Sequence, residues 1–314
     1  MRHEIYKQLC LKGGFVSGEH LSAALGVTRA ALWKHIKAMQ ADGAVIESVT
    51  GKGYKLAQPP AVPRAEYVRA HLKQDIPVFY EDTTASTNEL AKAAAQDSSL
   101  RFAVFLAGEQ TAGKGRKGRK WVSAPGQGVY LTMLARPKIS PEKVSGITLM
   151  AAVAVCEAIA QTAQIEAQIK WPNDIVLGGK KIAGILTESM MHMDGVEFVV
   201  CGIGINTDST RMEGTLSRTA DALQANNTLL AAAVINTFLD AYDVFVQNGV
   251  AAFMDAFRRR SAISGAVHLI TAGGSETGTL AGFDDDGAIL INCGGETKRF
   301  VAGEVSLRGE KGYV

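Results

Sequence analysis

The spacing of apolar positions changes along the chain, and each change marks an element. Residues 3–12 read as one helix. Ser17–Leu25 (SGEHLSAAL) reads as a second, with Ser17 as N-cap and Gly26 just past its end, where glycine accepts a left-handed turn. Thr28 caps a third helix, TRAALWKHIKAMQADG, which stops at Gly43. Within it Leu32, Ile36 and Met39 fall at i, i+4 and i+7 and face a core, leaving Arg29, Trp33, Lys34 and Lys37 outside. Two helices across a short Gly-containing turn match a helix-turn-helix. Val45–Val49 then reads as a strand, Thr50-Gly51-Lys52-Gly53 as a turn and Tyr54–Leu56 as a return strand, which adds a wing.

Further on, strand-like runs alternate with helices. FAVFLAG (102–108), GVYLTMLA (128–135), IKW (169–171), KIAGIL (181–186) and EFVVCGIGI (197–205) read as strands. Leu149–Ala160 is apolar nearly all round, as a buried helix is, and Asn227–Val246 and Val250–Arg260 read as two more helices. This order predicts a mixed sheet covered by helices. After Ser264, five short strands separated by Gly-rich turns predict a small barrel.

Composition adds constraints. The 314 residues are 47% apolar and 20% charged, an ordinary globular balance that excludes a collagenous or disulfide-dense chain. No apolar run reaches the ~18 residues that span a bilayer, and the polar N-terminus has no signal core. Cys10, Cys156, Cys201 and Cys293 stand far apart with no CxxC pair, which predicts reduced thiols, a cytoplasmic location and no zinc site. Residues 1–64 hold nine Lys/Arg against four Asp/Glu, while the remainder is slightly acidic, so a polyanion partner is expected at the N-terminal end only. Three of the eight prolines lie at Pro59, Pro60 and Pro63 and mark a stiff linker.

Four segments carry candidate chemistry. GEQTAGKGRKGRKW (Gly108–Trp121) alternates glycines with cations as a strand ends. Glycine lets backbone N–H groups approach an anion, and the cations hold its charge. The alternative is a flexible basic surface loop. Gly108, four residues, Gly113 and Lys114 nearly make a phosphate-binding loop, but Gly115 stands where Ser or Thr must hold magnesium, so a P-loop NTPase is rejected. Trp171-Pro172-Asn173-Asp174, followed by Lys181, supplies acceptors and a cation flanking one hairpin; alone it also suits a surface turn. Thr83-Thr84-Ala85-Ser86-Thr87-Asn88-Glu89 looks like a helix N-cap with more polar groups than capping needs. Gly202-Ile203-Gly204-Ile205-Asn206 ends a buried strand, where glycine either lets a flat ring approach or merely packs tightly.

Together these segments resemble the biotin protein ligase family, in the form that doubles as the biotin operon repressor. The resemblance rests on Ser86-Thr87-Asn88, on Gly113-Lys114-Gly115-Arg116-Lys117-Gly118-Arg119-Lys120-Trp121, on Trp171–Asp174 and on Lys181-Ile182-Ala183-Gly184-Ile185-Leu186, in the family's order. It extends to Gly303-Glu304-Val305-Ser306-Leu307-Arg308. It implies an α/β (α+β mixed sheet) catalytic core of the biotin/lipoate ligase type at 65–262, a winged helix-turn-helix DNA-binding domain at 1–58, a Pro-rich linker at 59–64 and a C-terminal SH3-like β-barrel at 263–314. ATP and biotin would be the substrates, with Mg²⁺, and biotinyl-5′-AMP the bound intermediate and corepressor. The acceptor would be a lysine of a biotin carboxyl carrier protein. Lipoate ligases share the general architecture, but the basic loop and the winged helix point away from them.

The resemblance also implies roles. Ser86, Thr87, Asn88, Gln110 and Asp174 would surround biotin's ureido ring, with Gly113 and Gly184 on the biotin side. Lys114, Gly115 and Arg116 would cover the valeryl carboxylate and the adenylate phosphate. Lys181 would bridge carboxylate and α-phosphate, making Lys181 and Arg116 the catalytic pair. Lys117, Gly118, Arg119, Trp121, Asn173, Gly204 and Asn206 would border the nucleotide. Lys114 stands where well-known relatives carry Arg. The stretch Thr207–Leu223, where the family has its adenylate-binding loop, is short and has no Trp. A ligand-promoted homodimer would bring Ser17, Thr28, Arg29, Ala30, Trp33, Lys34, Lys37 and Lys52 onto operator DNA. The alternative is a ligase whose winged helix no longer regulates. No membrane partner is expected.

Overall fold

Helices α1 (Arg2–Lys12), α2 (Gly18–Leu25) and α3 (Arg29–Ala41) pack around Ile5, Leu9, Leu21, Leu32, Ile36 and Met39, all essentially buried. The structure, a computed structural model, describes residues 1–192, 195–208, 220–271, 274–301 and 306–309. Both expected N-caps form: Ser17 accepts from the His20 N–H and Thr28 from the Ala31 N–H. Strands β1 (Val45–Val49) and β2 (Gly53–Gln58) make the wing. Gly53, at φ 101°, is required there, since a Cβ would lie 2.0 Å from the Val16 carbonyl oxygen.

The Pro-rich stretch is docked against the rest of the chain. Pro60 and Pro63 are buried, Asn226 donates to the Pro59 carbonyl and Thr228 to the Val62 carbonyl. The short helix α4 (Ala65–Arg69), which the sequence reading missed, belongs to two cores. Its Tyr67 packs in the winged-helix core and donates to Asp42 at 2.5 Å, while Val68 packs in the main core.

The central sheet begins with β3 (Val78–Thr84), followed by helix α5 (Thr87–Ala94), β4 (Phe102–Gln110) and β5 (Gly128–Ala135). Helix α6 (Val144–Ala163) leads to β6 (Gln168–Lys170), β7 (Asp174–Leu177), β8 (Lys180–His192) and β9 (Gly195–Asn206). Helices α7 (Asn227–Asn248) and α8 (Ala251–Arg260) complete this unit. The strand order is β3-β4-β5-β9-β8-β7-β6, with β3 parallel to β4 and every other pair antiparallel, so the sheet is mixed as expected. Every residue of β5 is buried because both faces are covered. Leu131 and Met133 meet the α6/α7 core, and Leu134 meets Ala91 and Ala95 under α5. Helices α6 and α7 are long and apolar enough to cross a bilayer by composition, yet they pack on one another and on the sheet.

Strands β3 and β7 were not anticipated. In β3 (VFYEDTT) most side chains are exposed or half-buried at the sheet edge, so its polar positions resemble a loop. Only four residues of β7 lie between the Trp-Pro turn and Gly178-Gly179. Beyond α8, β10 (Ala266–Thr271), β11 (Gly274–Phe283), β12 (Ile289–Cys293), β13 (Glu296–Phe300) and β14 (Ser306–Gly309) form an antiparallel sheet in the order β13-β12-β11-β10-β14. The five expected strands are present; no ladder between β13 and β14 closes them into a barrel among the described residues. All four cysteines are free, and burial pushes the Cys156 and Cys201 thiols up to about 12.

Candidate functional site

Helix α5 starts where strands β4, β5, β8 and β9 present their polar positions, and the chemistry-bearing segments converge there. Ser86, Thr87, Asn88, Gln110, Lys114, Gly115, Arg116, Trp121, Asn173, Lys181, Gly184 and Gly204 line one cavity of about 50 Å³. Leu131, Ile185, Leu186, Gly202 and Ile203 complete its wall. Gly202 and Ile203 belong to the glycine segment flagged in the sequence, and Ile185 and Leu186 to the motif that follows Lys181, though none of the four was given a role; Leu131 was missed because an apolar residue inside a strand carries no signal distinguishing it from core.

The floor is a buried hydrogen-bond network. Ser86, Thr87 and Asn88 are 3%, 3% and 4% exposed. Ser86 occupies the N-cap position of α5, but its side chain makes no cap hydrogen bond; the Thr87 N–H donates instead to Gln110 Oε1 at 2.8 Å. Gln110 Nε2 donates to Ser123 Oγ at 2.8 Å. Thr132 Oγ1, fully buried on β5, lies 2.6 Å from Asn88 Oδ1 and 2.8 Å from Thr87 Oγ1. Asn88 Nδ2 donates to Glu188 Oε2 at 2.7 Å. A Cβ on Gly202 would stand 2.2 Å from Asn88 Oδ1, so glycine is needed beneath it. Thr132 and Glu188 escaped the sequence reading; the one threonine in an otherwise apolar and aromatic strand was the available signal.

The rim is cationic. Lys181, first on the apolar part of β8, pairs with Asp174 at 2.5 Å, and both side chains are largely buried. The strands β7 and β8 bring them together because Asp174 opposes Gly184 in register and Val176 opposes Lys181. Asp174 itself does not border the cavity. The preceding corner is not a surface turn: Trp171, before a cis Pro172, is 1% exposed and donates to the Gly287 carbonyl at 3.0 Å, pinning the C-terminal sheet to the core. Asn173 anchors the corner by donating to the Ile185 carbonyl, and its Oδ1 accepts from Arg116 at 2.9 Å. Burial pulls the Arg116 guanidinium below its ordinary value, and the Asp174 carboxylate opposes that shift.

The basic loop is a narrow hairpin. The Trp121 N–H donates to the Gly113 carbonyl at 2.9 Å and the Gly115 N–H to the Arg119 carbonyl at 2.7 Å. The Gly115 amide is therefore committed within the loop. A Cβ on Gly113 would lie 2.4 Å from the Trp121 carbonyl oxygen, which explains glycine there. Lys117, at φ 55°, and Gly118 form the tip; with Arg119 and Gly113 they stay outside the cavity lining. Lys114 pairs with Glu89 at 2.6 Å. Lys114 and Lys92 together hold the Glu89 carboxyl below the usual carboxylate range. Lys92 also reaches Glu188 at 2.7 Å; burial works against its charge, but the two carboxylates prevail and hold the ammonium above its ordinary value.

Trp121 closes the cavity. Its indole lies on the paired glycines of β8 and β9: a Cβ on Gly204 would sit 2.5 Å from Nε1, and one on Gly184 would sit 3.1 Å from Cζ3. The flat ring that these glycines admit is thus the chain's own. Lys181 Nζ stands 5.2 Å from the ring centroid, and the buried indole N–H has no hydrogen-bond partner among the described residues. Asn206 does not reach the cavity; it donates to the Asp221 carbonyl and steadies the chain beyond β9. Most of the 207–223 stretch, residues 209–219, lies outside the described residues, as do Gly303, Glu304 and Val305. A larger cleft of about 870 Å³, between the start of α6, the α7–α8 corner and Asp285–Gly287, holds none of the sequence motifs.

On the winged helix, Ser17, Thr28, Arg29, Ala30, Trp33, Lys34, Lys37 and Lys52 are all exposed. Lys37 lies 5.7 Å from the Trp33 ring centroid, Lys52 stands 5.9 Å from that of Phe15, and Arg29 lies 3.4 Å from Glu19. Among the described residues no group of three or more His, Cys, Asp or Glu side chains gathers as metal ligands.

The chain is similar to known proteins. The biotin/lipoate A/B protein ligase family model matches residues 81–206, an HTH domain model 2–55 and the biotin protein ligase C-terminal domain model 266–308. The bifunctional ligase/repressor BirA of Bacillus subtilis is 33% identical over 305 residues, 93% of this chain and 94% of that protein. Its Escherichia coli counterpart is 30% identical over 311 residues, 96% of this chain and 95% of that protein. The structure of the Aquifex aeolicus biotin protein ligase in complex with biotin and ATP superposes with a TM-score of 0.64 at 25% identity, covering 74% of this chain and 98% of that one.

Proposed function

This chain belongs to the biotin/lipoate A/B protein ligase family, in its bifunctional ligase and repressor form, and from that premise we infer both its reaction and the roles of its residues. It is an ATP-dependent biotin–protein ligase. Biotin's carboxylate attacks the α-phosphate of ATP, releasing pyrophosphate and giving biotinyl-5′-AMP. A lysine amine of the carrier protein then attacks the acyl carbon, and AMP leaves.

The observation that carries the assignment of roles is the meeting of Lys181 and Arg116 at the rim above a neutral, hydrogen-bonded floor. A carboxylate must approach a triphosphate although both are anions. At about 4 Å and an effective dielectric near 20, one such repulsion costs about 4 kcal/mol. Lys181 at the junction of carboxylate and α-phosphate, and Arg116 beside it, offset that repulsion and stabilise charge growing on the phosphoryl oxygens. Ser86, Thr87, Asn88 and Gln110 face the ureido ring, and the apolar wall of Leu131, Ile185 and Ile203 suits the fused rings and chain. Mg²⁺ belongs with the phosphates of ATP as part of the substrate; the residues gathered here do not form a resident metal site.

Pockets that enclose small molecules measure roughly 300–1,000 Å³, well above the present 50 Å³. Biotin and ATP therefore enter by displacing Trp121 from Gly184 and Gly204 and lifting the basic loop. Returned over the ligand, the loop shields the adenylate from water. The Trp121 indole N–H, without a hydrogen-bond partner among the described residues, then gains an acceptor on the nucleotide side. Biotin-dependent ATP–pyrophosphate exchange tests the reading: exchange with biotin and none with lipoate supports it, and the reverse overturns it.

The winged helix gives the chain its repressor role, and we place α3 in the major groove with Lys52 on the backbone. Coupling to biotin would run through adenylate-promoted dimerisation, in a cytoplasmic protein. Duplex DNA from upstream of the host's biotin genes should bind tightly with ATP plus biotin and weakly with ATP alone. Equal binding in both conditions would leave a ligase with a non-regulatory winged helix.

A further inference from the structure

Glu188 lies outside the cavity lining, yet it orders the hydrogen bonds that run from Asn88 through Thr132 to Thr87. Its carboxylate, held by Lys92 at 2.7 Å, can only accept. The Asn88 amide beside it must therefore present Nδ2, and it does, at 2.7 Å, with a longer second approach to the Leu186 carbonyl at 3.4 Å. That leaves Asn88 Oδ1, also acceptor-only, facing Thr132 Oγ1 at 2.6 Å, so the single Thr132 proton points to Asn88. Thr132 Oγ1 is also 2.8 Å from Thr87 Oγ1. With its own proton committed, Thr132 must accept there, and Thr87 must donate. The longer 3.2 Å approach of Thr87 Oγ1 to Gln110 Oε1 is then not the one that takes its proton, and Gln110 Oε1 is served by the Thr87 N–H.

The consequence reaches the ligand. Thr87, Thr132 and Asn88 are all at most 4% exposed, so water does not reset the chain of protons. Thr87 borders the cavity, and its hydroxyl has its proton turned toward Thr132 and its lone pairs available. We propose that Glu188 is a positioning and specificity-determining residue: through Asn88 and Thr132 it makes the Thr87 hydroxyl an obligate acceptor that reads a ligand N–H. Gln110, with one Nε2 proton on Ser123, has the other available to donate to a carbonyl. An acceptor beside a donor matches a cyclic urea, whose N–H and C=O lie side by side. The proposal rests on the biotin ligase reading and adds the residue that enforces the match.

Glu188→Gln preserves shape but can donate. With the Gln carbonyl toward Lys92, its amide faces Asn88, Asn88 turns over at the loss of its 3.4 Å approach to the Leu186 carbonyl, and the chain of protons reverses, freeing the Thr87 proton to face the ligand N–H in competition with Gln110 Oε1 at 3.2 Å. The experiment is pyrophosphate exchange with wild type and Glu188→Gln, using biotin and its two isomers methylated on one ureido nitrogen. Two facing donors leave both unsatisfied, so the variant's KM for biotin should rise about 10–100-fold. Its kcat and its KM for ATP should stay within about twofold. Wild type should reject one of the methylated isomers by at least about 100-fold, and the variant should reject the same isomer far less. An unchanged biotin KM, or a rise shared equally with ATP, overturns the role of Glu188 while leaving the ligase reading intact. A wild-type protein without biotin-dependent exchange overturns the ligase reading and this inference with it.

Discussion

The floor of the site and the loop over it are built from opposite materials. Ser86, Thr87, Asn88 and Thr132 are neutral, buried and hydrogen-bonded to one another, on elements fixed by the central sheet. The loop from Lys114 to Lys120 is cationic and hairpin-like, its backbone bonded to itself through Gly115 and Arg119, with side-chain ties that include Lys114–Glu89 and Arg116–Asn173. Buried neutral networks hold a geometry because any unpaired member costs about 1–3 kcal/mol. Half-exposed ion pairs of about 0–1 kcal/mol can be exchanged for a ligand's charge. Recognition of the ring therefore belongs to the floor, and control of charge and closure belongs to the rim and loop.

The largest effect should come from the cation where the two meet. Lys181→Ala should lower the rate of biotin-dependent exchange by about 10²–10³-fold, as removal of one electrostatic donor to a transition state does. A near wild-type rate would take Lys181 out of the chemistry. Arg116→Gly comes next. It removes the bond to Asn173 and the loop's inner charge, and a charged hydrogen bond is worth about 1.5–3 kcal/mol. Adenylate should escape about 10–100-fold faster and label lysines on bystander proteins; labelling confined to the carrier would show that the loop's closure does not depend on Arg116.

The floor should respond differently. Gly202→Ala places a methyl 2.2 Å from Asn88 Oδ1, against an amide pinned by Glu188 and Thr132. Overpacking of this kind costs about 1–3 kcal/mol. Urea unfolding should show that loss, and the KM for biotin should rise about tenfold while the KM for ATP holds. Equal rises in both would mean that the floor does not act separately from the nucleotide side.

These two materials were not equally legible in the sequence. The loop announced itself, because glycines alternating with cations are rare and are local in the chain. The Lys181–Asp174 pair was legible from its hairpin, since the two residues flank the Gly178-Gly179 turn and so could meet at one site. The winged helix was legible through its caps and through Leu32, Ile36 and Met39. The floor was only half visible. Ser86–Asn88 and Gln110 could be seen, but Thr132 and Glu188 come from strands that join them through register, which no local pattern encodes. Strand β3 hid for a related reason: at an edge, its polar residues are not required to alternate. The Trp171 corner looked like a surface turn because its partner, the Gly287 carbonyl, lies 116 residues away.

The smallest effect discriminates most finely, because its sign should be opposite to that of Arg116→Gly. Glu89 occupies Lys114 at 2.6 Å, and the two side chains are 45% and 48% exposed. A ligand carboxylate must compete for that ammonium. Glu89→Gln removes the competitor, so biotin should bind slightly tighter and adenylate leave slightly more slowly, by less than about fivefold given what exposed pairs are worth. High salt should erase the difference, since exposed charges are screened beyond about 8 Å at physiological ionic strength and within less above it, while the Gly202→Ala effect should not move. The pH dependence follows the same pair. Lys114 and Lys92 depress the Glu89 carboxyl, so the pairing is complete above the ordinary carboxylate range and is lost as pH falls through the depressed value. Near neutral pH the wild-type loop is therefore always latched, and the Glu89→Gln advantage should be constant from pH 6 to 8. A gain that varied across that window, or survived molar salt, would mean that Glu89 acts on the loop's fold and not on its charge.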